Sequence, residues 1–230
     1  MLDAPFPIDE DGVWIEILGS PSAAPALYLD RDGVVVVETH YLHEVEKTKL
    51  IPGAGKTIAL ANRRGLHVVL VTNQSGIGRG LYDWGAFAMV QDKIKAELSS
   101  LGAYFDAVCA CPHIPESGEE GGKNHRDRKP NPGMLLKAAK VLDIDLASSW
   151  IVGDMHTDMA AGRNAGLTGG IHVNSGWPNL RDKARAEACE DFQVLGADSI
   201  AEVPINIPVS YTHLRAHETE ADLVCRLLLE

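Results

Sequence analysis

Asp30-Arg31-Asp32-Gly33 places two carboxylates at i and i+2, on one side of an extended segment. Two acids that close repel each other unless a cation lies between them or one is protonated. A hard divalent ion such as Mg²⁺, bound through oxygen and bridging to a phosphate, suits the gap. An Asp-x-Asp-Gly alone marks a turn as readily as a cation site. Here it follows the apolar run Ala26-Leu27-Tyr28-Leu29. Thr72 ends a second such run, His67-Val68-Val69-Leu70-Val71, and Asp154 follows a third, Trp150-Ile151-Val152-Gly153. Asp154 could complete the ligands of a metal held at Asp30 and Asp32.

These runs must be strands. From Ala26 onward, short apolar segments alternate with helical ones, the pattern of a parallel sheet covered by helices, an α/β fold. Helices are expected over 52–64, stopped by Gly65, and over 83–101. A further helix is expected from Asn131 as cap and Pro132 as first residue to about 143, and another through Ala165. Further strands are expected at 107–109 and 170–173, and one possible strand at 13–18. Ligands of open α/β sheets bind at the carboxyl ends of strands. The polar residues after three strands would therefore share one crevice. The first 25 residues read as an acidic extension to which the sequence assigns no role.

The chain has 230 residues, 45% of them hydrophobic, enough for a sizeable core. Its formal charge of −11 argues against a protein held to nucleic acid or anionic membrane by bulk charge. No apolar run approaches the roughly 20 residues that span a bilayer. Residues 1–5 lack the basic and apolar regions of a signal peptide. Four cysteines are too few for a disulfide scaffold, so a reducing, cytoplasmic setting is expected.

Residues 208–230 read as something else. Val209 to Thr219 and Leu223 to Glu230 match, in one frame and at the right separation, a translated sequencing adapter. The alternative is an amphipathic helix over 218–229. On the adapter reading the biological sequence stops near Ile207. Removing the tail takes away Arg215 and Arg226 against Glu218, Glu220, Asp222 and Glu230, which leaves a charge of −9.

The ordered set Leu29-Asp30-Arg31-Asp32-Gly33, Val71-Thr72-Asn73-Gln74-Ser75-Gly76-Ile77, Arg128-Lys129-Pro130 and Val152-Gly153-Asp154 resembles phosphatases of the haloacid dehalogenase superfamily. Within it the chain is similar to the D-glycero-D-manno-heptose 1,7-bisphosphate phosphatases and the related histidinol-phosphate phosphatases. The resemblance runs from about Ala26 to Val203, so residues 26–207 are expected to form one phosphatase domain. It implies a Rossmann-like three-layer sandwich with a minimal cap, and a monomer acting on a small phosphorylated metabolite.

The resemblance also implies roles. Asp30 is expected as nucleophile, Asp32 as general acid and base, and Thr72 and Lys129 as phosphoryl-oxygen partners. Mg²⁺ is expected on Asp30, Asp154 and the Asp32 backbone carbonyl. Arg31, Arg128, Asn73, Gln74 and Ser75 are expected at the substrate, with Glu38, Thr39, His40 and Tyr41 where the family contacts the sugar. Asp158 matches the second acid of the fourth motif and is expected to support the site from behind. Val34 stands where relatives often carry Thr.

Relatives also often carry a zinc loop, Cys-x-His, a spacer, then Cys-x-Cys before Arg-Lys-Pro. Here the corresponding residues are Cys111, His113, His125 and Asp127. All four are competent zinc ligands, although two lost thiolates weaken the site. The polar spacer 116–124 could be ordered by such a metal or serve as a mobile substrate loop. Gly53-Ala54-Gly55-Lys56-Thr57 lacks the first glycine of a nucleotide-binding loop, since residue 50 is Leu, and is better read as a helix start. Gly76-Ile77-Gly78-Arg79-Gly80 reads as a flexible turn that brings Arg79 toward substrate.

Three rivals stay in view: histidinol-phosphate phosphatase, a polynucleotide 3′-phosphatase, and a non-catalytic phosphate-binding regulator. The acidic charge disfavours the second. The retained nucleophile and acid pair disfavours the third.

Overall fold

The computed structural model describes residues 6–115, 125–177 and 179–205. The spacer 116–124 and the tail 208–230 lie outside the described residues. One seven-stranded sheet organises the chain, in the order β1-β4-β3-β2-β5-β6-β7. The strands are β1 (Trp14–Ile17), β2 (Ala26–Leu29), β3 (His67–Asn73), β4 (Ala107–Cys111), β5 (Trp150–Gly153), β6 (Gly169–Val173) and β7 (Gln193–Ala197). All neighbours pair in parallel except β1, which runs antiparallel to β4 with Trp14 opposite Ala110.

The strands are apolar on both faces because helices cover both. In β3, Val68 and Leu70 join one core while Val69 and Val71 join the other. The first core takes Ala54 and Ile58 of α1 (Ala54–Arg63) and Phe87, Val90, Ile94 and Leu98 of α3 (Trp84–Ser100). The i, i+3, i+4 spacing of the α3 set places them on one stripe. The opposite core takes Met134, Leu135, Ala138 and Leu142 of α4 (Gly133–Leu142) and Met159, Ala161 and Ala165 of α5 (His156–Ala165). The result is the three-layer sandwich the sequence predicts.

Differences from the sequence reading are local. Asp83 caps α3 by accepting from the Ala86 amide at 2.9 Å, as its residue type favours. Asn131 does not cap α4; its amide donates to the His125 carbonyl at 3.1 Å, and Pro132 occupies the cap position. The stretch read as a flexible turn contains a helical turn, α2 (Ser75–Gly78). The edge strand β7 and the short α6 (Arg181–Arg185) lacked a sequence signal, since Gln193, Leu195 and Gly196 of β7 stay exposed and no clear alternation survives.

The acidic extension contributes to the sheet and its core. Trp14 of β1 packs against Trp84 at 5.6 Å and edge-on to Phe87 at 5.2 Å. No helix among the described residues is long and apolar enough to cross a membrane.

Candidate active site

β2 is the central strand, flanked by β3 and β5. Side chains just beyond the carboxyl ends of these strands converge on one cavity of about 600 Å³. Asp30, Asp32, Thr72, Lys129, Asp154 and Asp158 all line it.

Asp30 leaves β2 with its amide bonded to the Val152 carbonyl of β5 at 3.0 Å. Its Oδ1 accepts from the Arg31 amide at 2.8 Å and lies 2.9 Å from Lys129 Nζ. The turn that follows needs its glycine. Gly33 has φ +78°, and a Cβ there would sit 2.3 Å from Asp154 Oδ2.

Lys129 is buried, with its ammonium shared among three oxygens. Its ammonium donates to the Val71 carbonyl at 2.8 Å and lies 2.6 Å from Asp158 Oδ1 besides its contact with Asp30. Asn73, the last residue of β3, clamps the Lys129 backbone from both sides: its Nδ2 donates to the Lys129 carbonyl at 3.0 Å and its Oδ1 accepts from the amide at 3.1 Å. Asp158 sits in the first turn of α5, where an acid suits the helix dipole, and accepts from the Met155 amide at 3.0 Å.

One ligand-sized need is left open. Oxygens of Asp30, Asp154 and Asp158 lie within 4.8 Å of one another, and the buried Asp154 Oδ2 has no hydrogen-bond partner. Burial first, then the Asp30 and Asp158 charges, push the Asp154 carboxyl far above the usual range. Burial raises Asp30 as well, against the pull of Lys129. Lys129 moves upward in turn, because its two carboxylate partners outweigh its own desolvation. An oxygen-lined cluster with surplus negative charge and an orphaned buried oxygen fits a divalent cation such as Mg²⁺.

Arg31, expected at the substrate, is instead completely buried beneath Asp32 and does not line the cavity. Its Nε and Nη2 fork onto the Asp32 carboxylate at 2.9–3.2 Å, and its guanidinium carbon lies 5.5 Å from the Phe87 ring centre. An apolar wall beneath the loop and a carboxylate above it draw the guanidinium inward. Gln74 completes that support, donating to Asp32 Oδ2 at 3.1 Å and to Thr72 Oγ1 at 2.7 Å while accepting from Arg31 and Tyr82.

Glu38, His40, Tyr41, Asn73, Gln74, Ser75 and Arg128 line the cavity; Thr39 does not. Sequence reasoning missed Tyr82, His156, Thr157 and Trp177, which also line it. Trp177 and His156 were reachable by the rule that found Asp30, since each lies a few residues past a predicted strand. Arg79 and Arg128 add positive charge to the cavity lining, beside the Lys129 ammonium that contacts the carboxylates.

The four-ligand zinc set is not assembled. Cys111, His113 and His125 converge, with donor atoms within 4.8 Å and the two imidazoles stacked at 3.9 Å. Asp127 groups instead with Asp9 and Asp11 around Lys137 Nζ, which lies 2.7 Å from its Oδ2, while His125 Nδ1 is 3.6 Å from the same oxygen. Burial raises the Cys111 thiol to about 12, so thiolate ligation here would have to be driven by a bound metal.

Comparison with known proteins agrees with the geometry. Residues 127–203 match the HAD-hydrolase-like family model. A D-glycero-beta-D-manno-heptose-1,7-bisphosphate 7-phosphatase of Mesorhizobium japonicum is 47% identical over 174 residues, 74% of this chain and 80% of that protein. This chain belongs to the haloacid dehalogenase-like phosphatases. A solved HAD-like phosphatase of Mesorhizobium loti shares the fold with a TM-score of 0.67 and 45% identity, over 74% of this chain and 83% of that one. The D,D-heptose 1,7-bisphosphate phosphatase of B. bronchiseptica, complexed with magnesium and phosphate, matches with a TM-score of 0.65 and 33% identity, over 78% and 94% of the two chains. Members of this family are phosphoric monoester hydrolases.

Proposed function

We propose that this phosphatase hydrolyses the 7-phosphate of D-glycero-D-manno-heptose 1,7-bisphosphate through an aspartyl-phosphate on Asp30, within a domain that takes in β1 as well as the segment from residue 26 onward. The observation that carries the chemistry is the Asp30 carboxylate held by buried Lys129 beside the unpartnered Asp154 oxygen. The substrate choice rests on the named activity of the similar relatives.

Each step has a residue suited to it. Lys129 and the Arg31 amide hold Asp30 Oδ1, which leaves Oδ2 to attack phosphorus as the bond to the sugar oxygen breaks. Asp32 gives that oxygen a proton. It then takes one from the water that attacks phosphorus and releases Asp30. The buried Arg31 fork and Gln74 orient Asp32 for both transfers. Thr72 and Lys129 meet the phosphoryl oxygens, and Arg79 and Arg128 draw the anion into the cavity. Asp30, Asp154 and the Asp32 carbonyl would hold Mg²⁺, with Asp158 behind them; when bound, it neutralises charge on the phosphoryl group. Glu38, His40, Tyr41 and Trp177 form the wall left for the sugar. The enzyme is read as a cytoplasmic monomer.

The test is phosphate release from heptose 1,7-bisphosphate and histidinol phosphate side by side, with Mg²⁺ or with EDTA. Mg²⁺-dependent preference for the heptose bisphosphate supports the reading. Preference for histidinol phosphate overturns the substrate and keeps the chemistry. Tight binding without release from either makes the protein a phosphate-ligand binder.

A further inference from the structure

The antiparallel register of β1 on β4 puts the residues before Trp14 at the carboxyl end of β4, where the loop carrying Arg128 and Lys129 leaves the sheet. Residues 9–13 fold there into a tight turn. Asp9 Oδ1 accepts from the amides of Asp11 and Val13, both at 3.0 Å, and Gly12 takes φ +76°.

We propose that this turn staples the loop after β4, with Asp11 and Lys137 acting as positioning residues for Arg128 at the phosphate pocket. The inference rests on the phosphatase reading of that pocket. Three contacts cross from the turn. The Asp11 carbonyl accepts from His113 Nε2 at 2.7 Å, and its carboxylate pairs with Arg126. Lys137 Nζ, reaching up from α4, lies 2.6, 2.9 and 2.7 Å from Asp9, Asp11 and Asp127. His113 in turn accepts from Arg128 Nη1 at its own carbonyl, at 2.9 Å. His113 thus links the turn to Arg128 directly, Arg126 lies two residues from it, and Lys137 joins the turn to Asp127, its immediate neighbour.

Exposed ion pairs are weak one at a time, but this set shares one ammonium among three carboxylates, of which Asp127 is buried. The ammonium of Lys137 occupies the centre of an oxygen cluster that could otherwise hold a metal ion. The staple also accounts for Asp127 having left the zinc-type set. Its charge is used by Lys137.

The test uses the full chain with Asp11→Asn, Lys137→Met and the milder Arg126→Gln, a change at an exposed side chain. Turnover is measured in excess Mg²⁺ with a zinc-selective chelator, alongside thermal unfolding and amide exchange of residues 125–129. The staple predicts KM raised about tenfold with kcat within about twofold, selectively faster exchange in that segment, and recovery with Asp11→Glu. Unchanged KM and exchange in all three variants overturns it. So does a wild type that loses activity to the chelator and regains it with zinc, which would make a metal the staple. Amide exchange reads the staple without any substrate. p-Nitrophenyl phosphate turnover without heptose bisphosphate turnover would defeat the substrate reading alone.

Discussion

The ammonium of Lys129 lies 2.9 Å from Asp30 Oδ1, and both groups are buried. One side chain comes from the loop after β4 and the other from the end of β2, so only the folded sheet brings them together. Lys129 is also the charge that lets Asp30 and Asp158 share one buried site.

Replacing Lys129 by Met leaves two carboxylates facing each other without their cation. Breaking a buried pair costs about 3–5 kcal/mol, and losing a preorganised phosphoryl partner costs about 10²–10³-fold in kcat. Thermal unfolding and steady-state phosphate release should show both losses. Added Mg²⁺ should recover part of the stability and little of the rate, because it restores positive charge to the cluster and does not replace the phosphoryl contact.

Gly176 packs so closely on the Asp154 carboxylate that a Cβ would fall 1.7 Å from Oδ2. Gly176→Ala must therefore push Asp154 out of place. Loss of such support around a ligand weakens metal affinity about 10–100-fold. Calorimetric Mg²⁺ titration of the variant should show that drop, and wild-type affinity in Gly176→Ala would remove Asp154 from the metal site.

The pH dependence follows from the raised carboxyls. Burial lifts Asp30 and Asp154 above the ordinary 3.8, Asp154 to about 9, so the metal-free folded state holds protons more tightly than the unfolded one. Their stability contribution is present below about pH 4 and is lost as pH rises toward 9. Asp11 acts oppositely: hydrogen bonds from Arg126 and Lys137 lower it to about 2, and its contribution fades below 3.8. The lowered His125 and His172 work in the opposite direction below their ordinary 6.5, so metal-free Tm should fall from pH 7 to 9, and Mg²⁺, which competes with those protons, should raise Tm most at the alkaline end. A metal-free Tm that climbs across this range contradicts the assignment.

Thiol chemistry offers a separate check. Burial raises Cys109 and Cys111 to about 12, whereas Cys189 is exposed. Only the thiolate reacts. Iodoacetamide at pH 7.5 should therefore alkylate Cys189 and spare Cys109 and Cys111, as read by peptide mass mapping. Rapid labelling of Cys111 would show that the end of β4 is open.

The parts of the site visible in the sequence are those that follow apolar strands. Asp30, Thr72 and Asp154 stand directly after runs whose burial the sequence makes plain, and Lys129 carries the Arg-Lys-Pro signature. Arg31 was misplaced because the resemblance put it at the substrate; the Phe87 ring of α3, Gln74 and the Leu42 carbonyl that draw it inward come from distant parts of the chain. Asp127 was misplaced for a similar reason. Its partner Lys137 lies a helix turn into α4, and the staple also depends on the antiparallel pairing of β1, which no local pattern announces. β7 stayed hidden because an edge strand with exposed residues lacks the apolar alternation that marked the others.

Asp30 as nucleophile is the central chemical assignment. The direct measurement is to quench the enzyme during turnover, reduce with borohydride and map the product by mass spectrometry. An acyl-phosphate on Asp30 is reduced to homoserine at position 30, and that conversion is expected in the wild type only while Mg²⁺ and substrate are both present. Rapid turnover with no change at position 30, together with an Asp30→Asn variant that still releases phosphate, would contradict it.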